Sequence, residues 1–406
     1  MKKIAFVILI MLIIPYLYSY NVSGDSNDKI LELISGVNEE SLYYYDKTIQ
    51  DFGPHPTGSE ECNAVGEFIY NEFRSYGLNT SYYEWGMKGM EGKNVVATIP
   101  GETNFTVVLS AHYDSVDVSP GADDDGSGTS CLLMAAKILS NYTFRHTIKL
   151  IAFSGEENGL YGSSAYAREA YTKGEKILAD IQLDGVGHAA SREGGSTIRL
   201  STNGESIWIT DVAQNMIDNY GDYIGLKILR QRDFAGSDHQ SFLNYGYEGV
   251  FFLEYEFNPY YHSSQDTIEH VNVSYLSKVC KLAIATLSGV ADKDVNIFTR
   301  IVKPERGAIY FGDRKIMELN SYRTLVFGRI YAWAEITSGE KISRVDFYFD
   351  GEYRGTDEEN PYEYEYGNIA FFKHDIRAVA YGEMNEDGNE IEITVFNIIP
   401  RYWLGQ

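Results

Sequence analysis

The sequence predicts an α/β chain, a mostly parallel mixed sheet covered by helices on both faces, followed by a C-terminal all-β sandwich. Three observations predict it. From about residue 94 to 290, continuous apolar runs alternate with helical patterns, as strands buried on both faces require. From Val295 onward no long helical pattern remains, and short Tyr/Phe/Ile runs are split by turns such as Asp350-Gly351, Asn360-Pro361 and Asp387-Gly388. The chain has 406 residues, 44% hydrophobic and 23% charged, which is globular usage with room for two or three domains and excludes intrinsic disorder.

Taken in order, Met1, Lys2 and Lys3 form a basic start and residues 4–17 are nearly all apolar. This is a secretory signal layout over residues 1–20. An uncleaved anchor is the rival reading, although the run falls short of the ~20 residues that span a bilayer. A helix follows, with Ile30, Leu31, Leu33 and Ile34 at helical spacing, then a turn-rich loop at 51–59 and a helix at 60–76. Strands are expected at 94–99, 106–111, 147–153, 177–183 and 249–254, and helices at 129–139, 162–171, 205–220 and 272–290. The character changes at 291–294. Runs at 325–336, 343–349, 375–380 and 390–396 read as an antiparallel sandwich of about 100 residues. The expected domains are 21–292 and 296–400.

Composition narrows the partners. Lys and Arg total 34 against 58 Asp and Glu, a formal charge of −24. That argues against nucleic acid as a partner and against electrostatic docking on anionic lipid. Three cysteines, Cys62, Cys131 and Cys280, allow at most one disulfide and no disulfide scaffold.

The chemistry lies where the strands end. The 106–111 run leads into His112-Tyr113-Asp114-Ser115, the 147–153 run into Ser154-Gly155-Glu156-Glu157, and the 177–183 run into Asp184-Gly185. In an open α/β sheet the carboxyl ends of the strands form the ligand crevice, so three strands deliver His, Glu-Glu and Asp to one rim. Asp123-Asp124-Asp125-Gly126 opens the helix between the first two, and Tyr261-His262-Ser263-Ser264-Gln265-Asp266 comes later. Each element alone has a bland reading as a turn, cap or exposed charge. Together, two His and several carboxylates on one rim would repel unless cations neutralise them. They match the needs of two divalent metals sharing one bridging carboxylate.

These motifs, with Asn94-Val95-Val96-Ala97, Gly159-Leu160-Tyr161-Gly162-Ser163 and Ser237-Asp238-His239, resemble the co-catalytic dizinc aminopeptidases of the bacterial leucyl aminopeptidase type. That superfamily also holds glutamate carboxypeptidase II, glutaminyl cyclase and the transferrin receptor ectodomain. The resemblance covers about residues 40 to 290 and implies a zinc exopeptidase-like fold. It implies His112 and Asp184 on one Zn²⁺, Glu157 and His262 on the other, and Asp124 bridging both. Mn²⁺ or Co²⁺ also suits these O/N donors. Glu156 would be the general base and Tyr261 would support the oxyanion. Asp114 would hold the far nitrogen of the His112 ring. No small organic cofactor is implied.

The implied activity is an exported aminopeptidase acting on peptides, secreted or on the outer face of the cell membrane. A zinc carboxypeptidase or a glutaminyl cyclase on the same fold is the alternative, the former needing a cation such as Arg230 or Arg232 for a terminal carboxylate. Asp238 reads equally as a helix cap or as part of a loop flanking the specificity pocket. Phe251, Phe252, Tyr255 and Phe257 could line an apolar pocket, although Phe251 and Phe252 read first as core. His55 reads as a surface residue. Residues 296–400 resemble an immunoglobulin-like module that could mediate cell-surface association.

Overall fold

The computed structural model describes residues 24–398. The expected signal segment and the last two positions of the expected second domain lie outside the described residues. The N-terminal part opens with α1 (Gly24–Ser35), α2 (Glu39–Gln50) and α3 (Glu60–Ser75), then β1 (Asn79–Met87), β2 (Met90–Ile99) and β3 (Phe105–His112). There follow α4 (Gly128–Leu139), β4 (Thr147–Phe153), α5 (Tyr161–Lys173), β5 (Lys176–Leu183), β6 (Thr197–Thr202) and α6 (Ile207–Ile224). β7 (Lys227–Arg232), α7 (His239–Asn244), β8 (Gly249–Glu254) and α8 (Val273–Ala291) complete it.

The eight strands form one sheet in the order β1-β2-β4-β3-β5-β8-β6-β7. β3 pairs in parallel with both β4 and β5, and β5 with β8, so these central strands end on the same rim. β1, β2 and β6 supply the antiparallel pairings. The centre is buried on both faces: every residue of β3 is buried, as the uninterrupted Thr-Val-Val-Leu-Ser-Ala run requires. β1, β6 and β7 are absent from the sequence expectations. β6 is a short interior strand with Thr, Arg and Ser among its apolar residues, and β1 and β7 carry their tyrosines, lysines and arginines at the sheet margins, where a polar strand discourages edge pairing.

α8 is long and apolar enough to cross a membrane by length and composition, but 72% of its most apolar window is buried within the protein. It packs on α1, α2, α4 and α6 and belongs to the main core.

The C-terminal part is all β. It comprises β9 (Ile297–Lys303), β10 (Ala308–Phe311), β11 (Arg314–Glu318), β12 (Thr324–Phe327), β13 (Ile330–Ser338) and β14 (Arg344–Phe349). β15 (Glu352–Asp357), β16 (Tyr362–Tyr366), β17 (Ala370–Tyr381) and β18 (Glu386–Asn397) follow. Seven strands form one sheet and three the other, around a core containing Val326, Phe347, Ile376 and Ile391. Two expectations need correction. The 325–336 run is two strands, broken at Gly328 with φ +95, a turn conformation that glycine accepts. The pairing is not wholly antiparallel either, because β12 runs parallel to both β10 and β18.

Candidate metal centre

The site is built at the ends of β3, β4 and β5. β3 terminates in His112, the turn after β4 carries Glu156 and Glu157, and Asp184 follows β5 directly. The turn before α4 brings Asp124, and the loop after β8 brings Tyr261 and His262. All seven expected site residues therefore reach one rim.

Two three-residue groups emerge, His112–Asp124–Asp184 and Asp124–Glu157–His262, each with donor atoms within 4.8 Å of one another. Asp124 serves both. Its Oδ1 lies 3.2 Å from His112 Nε2, and its Oδ2 lies 3.1 Å from His262 Nε2. Asp184 Oδ1 is 3.6 Å from His112 Nε2, and Glu157 Oε2 is 3.0 Å from His262 Nε2.

The donor chemistry fits divalent cations. His112 Nδ1–H donates to the main-chain carbonyl of Asp114 at 2.9 Å, which turns Nε2 toward the carboxylates, where it can hold either a proton or a cation. Glu157 Oε1 is buried without a hydrogen-bond partner, and His262 Nε2 stands beside two carboxylate oxygens without a well-aligned hydrogen bond to either, an expense that a shared cation removes. His262 sits at φ +53, a left-handed conformation that a non-glycine residue adopts only when its surroundings hold it there.

Burial governs the protonation. It pushes the Glu156 carboxyl well above its ordinary value; His112 opposes the shift and Asp184, Asp238 and Asp114 add to it. Burial, with Asp124 beside it, raises Glu157 to about 8. Burial would also raise Asp124, but His112 and His262 outweigh it and hold that group down at about 2. Burial alone would lower His112, yet Asp184, Asp114 and Asp124 carry it well above the usual imidazole range. Asp124 is the first cause of the upward shift at His262. Burial, then the same carboxylates, raises the Tyr261 phenol, so it keeps its proton and can donate. The Tyr261 ring stacks on His262 with centroids 3.7 Å apart.

Several expectations change. The His112 ring is held by the carbonyl of Asp114, not its carboxylate, whose Oδ1 stands 3.7 Å from Nδ1. That carboxylate is engaged elsewhere, accepting from Thr57 Oγ1 at 2.9 Å and from the Glu156 amide at 3.2 Å. Asp238 makes no side-chain cap; it is buried near the cluster and raised by burial to about 7. His55 is buried, its Nδ1 on the Gly53 carbonyl at 2.6 Å. Phe251 and Phe252 are core, whereas Phe257 is exposed and packs edge-on against Tyr261. Arg230 is paired with Asp211 at 2.6 Å.

The sequence reading assigned no role to Asn94, Thr57 or Asp125. Asn94 donates to the Gly162 carbonyl at 2.9 Å and accepts the Ser154 amide at 3.2 Å, spanning the turn that holds Glu156 and Glu157. Thr57 joins that turn to Asp114 by accepting the Gly155 amide at 2.8 Å. The available signal was a polar residue inside an apolar strand start (Asn94) and a third Asp beside the bridging one (Asp125).

The sequence pattern of Peptidase family M28 matches residues 94–287. Leucine aminopeptidase 1 of Paracoccidioides brasiliensis (strain Pb03) is 31% identical over 290 residues, 65% of this chain and 74% of that protein. The chain belongs to Peptidase family M28. The chain spans only part of the length of the relatives it matches. Leucine aminopeptidase 1 of Ajellomyces dermatitidis (strain ER-3 / ATCC MYA-2586) is 29% identical over 221 residues, and this M28 chain spans 57% of its length. The fold matches BSAP, a zinc aminopeptidase from Bacillus subtilis, with TM-score 0.56 and 18% identity over 63% of this chain and 96% of that one. It also matches Porphyromonas gingivalis glutaminyl cyclase, with TM-score 0.54 and 23% identity over 62% of this chain and 98% of that one.

Proposed function

We propose that this M28 chain is an exported, zinc-dependent aminopeptidase that removes N-terminal residues from peptides. The observation that carries the reading is the division of one carboxylate: Asp124 gives one oxygen to each three-residue group. On this reading His112 and Asp184 would hold one Zn²⁺ and Glu157 and His262 the other, with Asp124 offering an oxygen to each. Such ions supply Lewis acidity at the scissile carbonyl and lower the pKa of water. Glu156 belongs to neither group; its amide is fixed by Asp114, and its carboxyl takes a proton from the attacking water and returns it to the leaving amine. The Tyr261 hydroxyl donates to the developing oxyanion. The leucine aminopeptidase names of the sequence relatives support the direction of cleavage. Export rests on the basic-then-apolar start of the sequence. Residues 21–292 would form the catalytic domain and 296–400 an immunoglobulin-like module for surface association.

The test is metal counting with a pair of assays, amino-acid anilide hydrolysis against cyclisation of Gln-peptides. Two zinc per chain and anilide turnover are expected. Cyclisation without hydrolysis would favour the cyclase reading, and release of C-terminal residues from a free-carboxylate peptide, followed in a third assay, the carboxypeptidase reading. Glu156→Gln should lower kcat by about 10²–10⁴ while zinc content stays the same; full activity in that variant removes Glu156 as the base.

A further inference from the structure

Three buried carboxylates flank Asp124 without joining either three-residue group, Asp123, Asp125 and Asp266, and the last two anchor its turn. Asp125 faces the strand side. It accepts the amides of His112 at 3.1 Å, Gly185 at 3.3 Å and Gly128 at 2.9 Å, tying the Asp124 turn to the ends of β3 and β5. Asp266 faces the other side. Three consecutive amides converge on this one residue. Ala122 N–H donates to its main-chain oxygen at 3.2 Å, Asp123 N–H to Oδ1 at 3.1 Å and Asp124 N–H to Oδ2 at 3.2 Å. Asn258 Nδ2 adds a fourth bond to Oδ1 at 3.3 Å, and Ser119 Oγ a long one to Oδ2 at 3.4 Å. Successive N–H groups of this kind form a cradle for an acceptor, here filled by the Asp266 carboxylate at two of the amides and by its main-chain oxygen at the third. That side chain comes from the loop of His262, four residues earlier, and the Asp266 amide closes the loop on the Ser263 carbonyl at 3.1 Å.

We infer that Asp266 is a positioning residue that sets the distance between Asp124 and the His262 imidazole, so that its loss weakens one cation subsite and spares the other. The physical reason is division of labour. His112 and Asp184 are placed by adjacent parallel strands and by Asp125, so of the three donors on their side only the shared Asp124 touches Asp266. His262 sits on an irregular loop in a left-handed conformation, and the Asp266 side chain fastens that loop to the backbone of the bridging residue. The inference rests on the dizinc reading above.

The test is calorimetric titration of Zn²⁺ into chelator-treated full-length protein, with a competing chelator to resolve tight steps. Two steps in the parent protein are assigned by Glu157→Gln, which removes the His262-side step, and Asp184→Asn, which removes the other. Asp266→Asn should weaken the Glu157-dependent step about 10–100-fold, as loss of an outer partner of metal ligands does, and leave the Asp184-dependent step unchanged. Asp125→Asn should show the opposite selectivity. Asn258→Ala, which removes the bond to Asp266 Oδ1 but leaves the carboxylate, should shift the Glu157-dependent step by less. That variant keeps the idea testable if Asp266→Asn does not fold. Equal weakening of both steps, a shift confined to the Asp184-dependent step, or no shift in either variant overturns the inference. A parent protein that binds fewer than two Zn²⁺ sinks the dizinc reading itself, which separates the two failures.

Discussion

Glu157 and Asp238 are buried acids whose protons cost less to keep than to lose, since burial raises them to about 8 and about 7 from ordinary values of 4.5 and 3.8. An acid with a higher pKa folded than unfolded binds more protons in the native state. Its stabilising contribution is full below the unfolded value and is lost as pH rises through the folded one. His112 and His262, also raised, lose theirs in the same direction as pH climbs above the ordinary 6.5. Metal-free protein should therefore lose stability as pH rises through roughly 4.5 to 8. Bound cations replace those protons, so the Tm difference between zinc-loaded and chelator-treated protein should widen over that window. Thermal melts at a series of pH values check this, and a pH-independent gap contradicts the cation-for-proton exchange. Chelation should also abolish hydrolysis, with recovery on adding Zn²⁺; activity indifferent to chelator would discard the metal mechanism.

At the level of elements, the turn between β4 and α5 depends on Asn94, remote from it in sequence, and on Gly162, the second residue of α5. Asn94 is fully buried on β2, and its amide is committed to the Ser154 amide and the Gly162 carbonyl. Asn94→Ala strands both groups in the interior and should cost about 1–3 kcal/mol in chemical denaturation, with a fall in kcat as Glu156 loosens. Gly162 lies where a Cβ would stand 2.2 Å from the Ser154 carbonyl oxygen and 2.3 Å from Asn94 Oδ1. Gly162→Ala should therefore push the same turn outward, lowering Tm and kcat together; an unperturbed variant would mean that the turn tolerates displacement. The central strands were legible because burial on both faces writes a continuous apolar run. β1 and β7 were not legible, because a margin strand can be polar along most of its length and is recognised only by its neighbour.

For the whole molecule, arginines make several of the polar contacts between the C-terminal sheets and the N-terminal part, beside apolar contacts such as Phe298 on Phe105. Arg306 donates to the carbonyls of Asn244 and Glu390, one from each part, and its amide donates to Tyr171 Oη at 3.1 Å. Arg300 donates to the Tyr171 carbonyl at 2.5 Å, near the end of α5, where a cation also meets the negative end of the helix dipole. Arg377 pairs with Glu205. Arg306→Ala leaves the Asn244 and Glu390 carbonyls without this partner and should separate one calorimetric unfolding transition into two, the lower from the C-terminal sheets. A single unshifted transition would show that the arginine does not couple the two parts.

Residue order alone determined much of this protein. Apolar strand runs ending in His112, Glu156-Glu157 and Asp184 identify the rim, because in a parallel sheet the strand ends must lie side by side. The triplet 123–125 and the 261–266 segment could be named as contributors, but sequence could not say which oxygen faces which imidazole. Only the folded chain decided that Asp124 splits its oxygens between two groups, that Asp114 holds His112 through its carbonyl, and that Asp266 receives three successive amides. Those facts join residues up to about 145 positions apart. They follow from loop paths set by packing, which no local pattern of polar and apolar residues encodes.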